Sequence, residues 1–386
     1  MIGRKSSAVS LTDADARNFY VDIVPKSKSK WSCSTWDGVK ELKKFPTRSD
    51  EAVPMYACSG KPKKDGTCDQ PIAIKLVGDE DEAKWLRYLS SKYLGITPRP
   101  SIHLLHWVSC KADQVKATLR SLGIDVTDIF VDSFLHHHRN VEIVVTERAT
   151  STIFDYLVNL AKENRLNVDI LRCCVAQVVA IFARIQSDVP TFRHNDAHWG
   201  NILVTETSLP KPMSINMTAG ELALDITIPM GMPVLKLWDF GDATAPGADL
   251  SNGGIIGASV AACIQNSYER SPKIRKSKFY SQEYPRTDLY CPMFDIILFL
   301  SKFPEFWKTE GVNKDLIGGV EELDAFLKRQ IPTDLVTAFG ALKLPAQTAT
   351  VWHLEKKLMS PLLMLTDPFF DALRPEHMHR NRSSTI

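Results

Sequence analysis

The run Arg193-His194-Asn195-Asp196-Ala197-His198-Trp199-Gly200-Asn201, closed by the apolar Ile202-Leu203-Val204, constrains this chain more than any other stretch. Polar groups at this density cannot enter a core without partners. An Asp is followed five residues later by an Asn, and a second Asp stands inside Leu237-Trp238-Asp239-Phe240-Gly241. Two carboxylates and one amide offer the oxygen ligands that a hard cation and its phosphates require.

A chain of 386 residues, 44% of them hydrophobic, can build two lobes with sizeable cores. Its formal net charge of +2 provides no global attraction to nucleic acid or to a membrane surface. Met1 to Ser10 carry Arg4 and Lys5 but no apolar segment, and nowhere do eighteen apolar residues run together, so neither secretion nor membrane spanning is expected. The eight cysteines have irregular spacings and no C-x-x-C pair, which predicts reduced thiols in the cytoplasm. Cys173 and Cys174 are expected to be packing residues of a helix.

Taken in order, residues 1–45 read as a polar extension that Trp31, Trp36 and Phe45 could staple to the adjoining domain. Val53 to Cys58 and Pro71 to Val77 form two strands around a Gly/Pro/Asp connection, a hairpin pattern. Lys75 lies within the second, where a lone cation needs either an edge position or a partner. Asp79 to Tyr93 is a helix with Trp85, Leu86 and Leu89 at helical spacing, and Glu82 and Glu80 both fall in its first turn. Ile102 to Val108 is a strand, Ala112 to Leu122 a helix stopped by Gly123, and His136-His137-His138 an exposed turn. Val141 to Thr146 is a buried strand, leading through Glu147-Arg148-Ala149 to a helix near Thr152. Asn167 caps a long helix whose stripe is Ile170, Cys174, Val178, Ile181 and Ile185. Leu222 to Ile228 and Pro233 to Trp238 are the strands of a hairpin inserted before Asp239, and Asp295 interrupts the apolar helix Met293 to Leu300.

Asp196 with Asn201, Asp-Phe-Gly at 239–241, Ala73-Ile74-Lys75, the strand ending in Glu147 and the helical Asp295 occur in an order that resembles the eukaryotic-type Ser/Thr protein kinases. The His-Asn-Asp-x-His-x-Gly-Asn form is similar to that of the divergent kinases of nucleocytoplasmic large DNA viruses. The resemblance implies an α+β, two-lobed protein-kinase-like fold with a small antiparallel β lobe and a larger, mainly helical lobe. It sets an N-terminal extension at 1–45 and a small lobe at 46–147, with an inserted segment at about 108–139. A large lobe spans 148–375, with the inserted hairpin at about 205–236, and a basic tail occupies 376–386.

The resemblance implies ATP and Mg²⁺ as cofactors and a protein as substrate. Asp196 would orient the acceptor hydroxyl, and Lys75, held by Glu82 or its rival Glu80, would position the phosphates. Glu147 and Ala149 would meet the adenine edge through backbone groups, with Thr146 guarding the pocket behind. Asn201 and Asp239 would ligate the metal, while His194 and Asp295 would brace the loop. It places the protein in the host cytoplasm or the virion. Three positions depart from the pattern. Asn195 stands where the family carries the Arg that receives a phosphorylated activation loop, so phosphorylation of that loop is not expected to control activity. His198 stands in place of a Lys and also occurs in aminoglycoside and choline kinases, so a small-molecule kinase is one alternative. The nucleotide-loop position Pro46 to Ala52 has no glycine, so a non-enzymatic scaffold is another.

Overall fold

The computed structural model describes residues 31–36, 39–44, 52–59, 71–78, 80–96, 98–219, 222–245, 293–331 and 360–375. Most of the loop at 46–52, the segment 246–292 with its basic stretch, and the tail 376–386 lie outside them. The protein is of mixed α+β class. Among the described residues it divides into two compact units, one holding the residues up to Tyr88 with His103–Arg148, the other Leu89–Ile102 and the residues from Ala149 onward.

The first unit is built on a five-stranded antiparallel sheet in the order β3-β4-β5-β7-β6. Its strands are β3 (Val39–Lys44), β4 (Ala52–Ser59), β5 (Pro71–Val77), β6 (Leu104–Lys111) and β7 (Asn140–Glu147). The stretch 39–44, read from sequence as part of an extension, is thus the edge strand of the sheet. Side chains alternate across each strand. Ile72, Ile74 and Leu76 of β5 face a core shared with Met55, Ile143 and Val145, whereas Lys75 projects from the opposite face.

Helices α2 (Ala112–Ser121) and α3 (Ile129–His137) fill the connection from β6 to β7. They cover the first of these faces with Val115, Leu119, Val131 and Phe134. Sequence reading found α2 but took the three histidines for an exposed turn. His136 and His137 are exposed, as expected, but they end α3, and His138 follows it: His137 Nδ1 lies 2.7 Å from the Ser133 carbonyl, and the His138 ring sits 4.7 Å from that of Phe134. Helix α1 (Glu80–Lys92) buries Ala83, Trp85, Leu86 and Leu89, an apolar stripe at 3.6-residue period.

The ribbon β1 (Trp31–Ser32) and β2 (Thr35–Trp36) lies beside β6 and α2, with the Trp36 side chain in the same core. Cys33 in its turn is bonded to Cys110 of β6 as a disulfide, with Cα atoms 5.3 Å apart. The expectation of uniformly reduced thiols is corrected here. Residues 77 apart in sequence become neighbours only through the sheet. Cys173 and Cys174 are buried free thiols, as the helical reading expects, and burial pushes the Cys173 thiol up to about 12.

The second unit is organised on α5 (Val168–Asp188), capped by the Asn167 side chain, which accepts from the Ile170 N–H at 3.0 Å. It was expected to present one stripe. Instead it is buried nearly all round, because other elements cover it on several sides. β8 (Ser151–Thr152), β9 (Ile202–Glu206) and β12 (Val234–Leu237) form a small sheet, and α4 (Ile153–Lys162) comes directly after β8. β10 (Met213–Ala219) and β11 (Leu222–Ile228) form a separate ribbon. The two strands expected to make one hairpin therefore have different partners: 222–228 pairs with β10, and 234–237 with β9.

Helices α6 (Phe294–Leu300), α7 (Phe303–Phe306), α8 (Val320–Gln330) and α9 (Pro361–Met364) complete the described residues. Asp367 joins the last of these segments to α8 through Arg329, at 2.6 Å, and Gln330, at 2.8 Å. No helix among the described residues is long and apolar enough to cross a membrane.

Closing a loop of this length by a disulfide restricts the unfolded chain by up to about 4.5 kcal/mol in the chain-entropy account. Cys33→Ser is expected to lower unfolding stability by a large part of that amount under oxidising conditions. Denaturant melts with and without dithiothreitol check it: reductant should bring the wild type down to the variant and leave the variant unchanged.

Candidate active site

The first unit holds a buried ion pair. Lys75 and Glu82 are 4% and 3% exposed, and Lys75 Nζ donates to both carboxylate oxygens, at 2.9 and 2.8 Å. Glu80, the rival partner, is exposed and binds Lys84 at 2.5 Å. The choice comes from helix geometry: Glu82 and Leu86 lie on the buried side of α1, and Glu80 does not. Thr146 is fully buried on β7, on the same sheet face as Lys75. Glu147 exchanges two bonds with the backbone of His103, its N–H donating at 3.1 Å and its Oε1 accepting at 2.7 Å. Ala149 lies in the irregular connection from β7 to β8 and is half-buried.

In the second unit the polar run of the sequence forms a loop fastened from several sides. Asp295, 1% exposed on α6, accepts the backbone N–H of His194 at 2.7 Å on one oxygen and that of Asn195 at 2.8 Å on the other. Burial raises the Asp295 pKa; His194, Arg193 and the two backbone N–H donors pull the other way. His194 reaches the segment of Asp239: its Nε2 is 2.8 Å from the Trp238 carbonyl, and its ring lies 5.0 Å from that of Phe240. It braces the loop, as expected from sequence.

Asp196 and Asn201 are brought together. Asn201 Nδ2 donates to the Asp196 carboxylate at 2.8 Å and to its carbonyl at 3.0 Å. With the NH₂ end directed at Asp196, the amide oxygen faces the other way, as a cation ligand must. The Asn201 carbonyl accepts the Trp238 N–H at 3.0 Å, which sets Asp239 beside it in the chain. β12, which delivers Asp239, is pinned by buried Gln177 of α5, accepting from Leu235 N–H at 3.1 Å and donating to the Pro233 carbonyl at 2.9 Å. An amide oxygen on Asn201 and a carboxylate on Asp239 are donors of the kind that a hard cation such as magnesium prefers.

Two of the non-glycine residues with positive φ are here, Asn195 at 64° and Asp239 at 63°. Asn and Asp tolerate this left-handed conformation best, and such backbone persists where surrounding bonds enforce it.

His198 accepts the Gly200 N–H on Nδ1 at 2.9 Å, which leaves Nε2 as the protonated nitrogen, 3.5 Å from Asp196. A Cβ on Gly200 would come within 2.6 Å of the His198 ring, so this contact requires glycine.

Sequence reading missed what Asn195 does. Its amide donates to the Asp242 carbonyl at 2.7 Å and to the Thr244 hydroxyl at 3.0 Å, while Arg193 and Thr244 exchange backbone bonds at 2.9 and 2.8 Å. The only signal was that Asn stands where the resemblance would put Arg. Trp199 was missed as well: its indole donates to the Phe299 carbonyl at 2.9 Å and is ringed by Phe299, Phe303 and Phe306 at centroid distances of 5.0–5.8 Å.

Lys75 and Glu82 thus belong to the first unit, and Asp196, Asn201 and Asp239 to the second. No family model matches the chain, and no curated protein matches it.

Asp295→Ala leaves two buried backbone N–H groups without an acceptor and is expected to destabilise the fold by about 2 to 5 kcal/mol. Since the folded pKa is raised, the contribution of Asp295 is complete below its unfolded value of about 4 and diminishes as pH rises through the folded value. The gap between wild type and variant in thermal melts should therefore narrow with rising pH. A gap that widens with pH would contradict this assignment.

Proposed function

We propose that this protein is a two-lobed, protein-kinase-like phosphotransferase that moves the γ-phosphate of ATP to Ser or Thr hydroxyls of a protein substrate. The observation that carries the reading is the buried, two-bond Lys75–Glu82 pair on the third strand of the first unit's sheet. Burying both charges gains little or nothing for stability. A lysine held rigidly by a glutamate is, however, the device by which kinases place the phosphates of ATP.

The loop residues take complementary roles. The Asp196 carboxylate, oriented by Asn201 Nδ2, would accept a hydrogen bond from the substrate hydroxyl and take its proton late in the transfer. Glu147 and Ala149 would offer backbone groups to the adenine edge. Asn201 and Asp239 would hold Mg²⁺, which when bound supplies positive charge against the phosphates. Asn195 ties the segment after Asp-Phe-Gly with neutral hydrogen bonds to Asp242 and Thr244. Because no charge is involved, a phosphate group is not required to order that segment, and activity is independent of activation-loop phosphorylation. Thr244 is buried and already bonded there, which makes it a poor phosphate acceptor.

With labelled ATP, Mg²⁺ and a generic protein substrate, Asp196→Ala is expected to abolish transfer, by about 10³-fold or more, while its thermal melt stays near wild type. Lys75→Ala and Asp239→Ala should lose activity on a similar scale. Retained transfer in Asp196→Ala sinks the proposal. Absence of transfer by the wild type, together with no shift of its melt by ATP and Mg²⁺, favours the scaffold alternative. Phosphatase-treated wild type should keep its activity, and its loss would overturn the role given to Asn195.

A further inference from the structure

Beside Asp196, within the second unit, lies an open cavity of about 460 Å³. That volume is within the roughly 300–1,000 Å³ of ordinary ligand sites. Its walls are chiefly apolar: Phe154 from α4, Trp199 and Gly200 from the loop, and Leu298 and Phe306 from α6 and α7. Phe154 is 37% exposed on a helix whose buried side is Ile153, Leu157, Val158 and Leu160, so its ring is not needed by the core of that helix. Trp199 is rigid, because its indole N–H is bonded to the Phe299 carbonyl and its ring is held by three phenylalanines.

The polar lining is Thr152, Asp196, His198, Lys302 and Glu305, and His198 is held by the Gly200 N–H on Nδ1 with Nε2 3.5 Å from Asp196. Thr152 Oγ1 donates to the Asp155 carboxylate at 2.8 Å and caps α4, and Lys302 pairs with Glu305 at 3.2 Å. The remaining carboxylate is that of Asp196, to which the reaction assigns the acceptor hydroxyl. A strongly cationic ligand would find Glu305 neutralised by Lys302, whereas an apolar one would cover the exposed Phe154 ring, which is backed by the buried Trp199 at a centroid distance of 6.4 Å.

We propose that this cavity is a specificity pocket for a large apolar or aromatic side chain of the protein substrate, close in sequence to the phosphorylated Ser or Thr. The inference rests on the proposed kinase activity and names its substrate class. The width of the cavity, taken as the cube root of its volume, is about 8 Å. Extended peptide rises about 3.3 Å per residue, so the side chain belongs to a residue within three positions of the acceptor.

A positional-scanning peptide library, phosphorylated by the full-length protein, tests this. The expected result is a preference for Phe, Tyr, Trp, Leu, Ile or Met at one position within three of the acceptor. For a peptide with that residue, Phe154→Ala should raise KM about ten-fold with kcat little changed, since one apolar contact in a pocket is worth about 10–200-fold in discrimination. Phe154→Glu should shift the preference at that position toward Lys and Arg. Phe154 is partly exposed, so neither variant threatens the fold, and thermal melts check that. Asp196-dependent transfer with no apolar preference, or with one that both variants leave unchanged, overturns the pocket assignment alone. No transfer to any peptide or protein, or transfer only to a polycationic small molecule, overturns the kinase reading with it.

Discussion

The carboxylate of Asp295 holds the backbone N–H groups of His194 and Asn195, and the arrangement of the second unit's polar loop depends on that grip. The carboxylate is buried in a helix that is otherwise apolar, a placement tolerable only because each oxygen has a donor. Once the backbone at 194–195 is fixed, the side chains are directed by it. His194 reaches the Trp238 carbonyl and Asn195 reaches Asp242 and Thr244, so the two segments carrying Asp196 and Asp239 are tied through one point. The positive φ of Asn195 is a consequence, a conformation an isolated chain would avoid and these bonds impose.

The same helix grips the loop a second time. Asp295 and Phe299 are four residues apart and so share a face of α6, and Phe299 receives the indole N–H of Trp199. Asp196 therefore lies between two anchors on one short element. The aromatic residues around Trp199 build part of the apolar wall beside Asp196, which couples the loop's rigidity to the shape of the neighbouring cavity.

In the first unit, the sheet divides its duties between faces. The face with Ile72, Ile74 and Leu76 is closed by α2 and α3, and the other carries Lys75 and Thr146. Much of this was legible in the sequence. Lys75 in an apolar strand, Glu82 in the first turn of an amphipathic helix and Asp295 within an apolar run are each polar residues where the pattern demands a partner. The pairings of 222–228 and 234–237 were not legible, because apolar alternation identifies a strand without naming its neighbour. The helix ending at His137 was missed because its apolar residues lie close to the strand that follows.

By itself the sequence determined the α+β class and the element types around the polar loop, since those are local matters of periodicity, capping and composition. Only the tertiary structure decided that Glu82 and not Glu80 meets Lys75, that Cys33 and Cys110 bond, that Asn195 clamps the segment after Gly241, and that an apolar cavity stands beside Asp196. Each of these is a contact between residues distant in sequence or a choice of helix face, and such contacts are fixed by packing, which no single segment encodes.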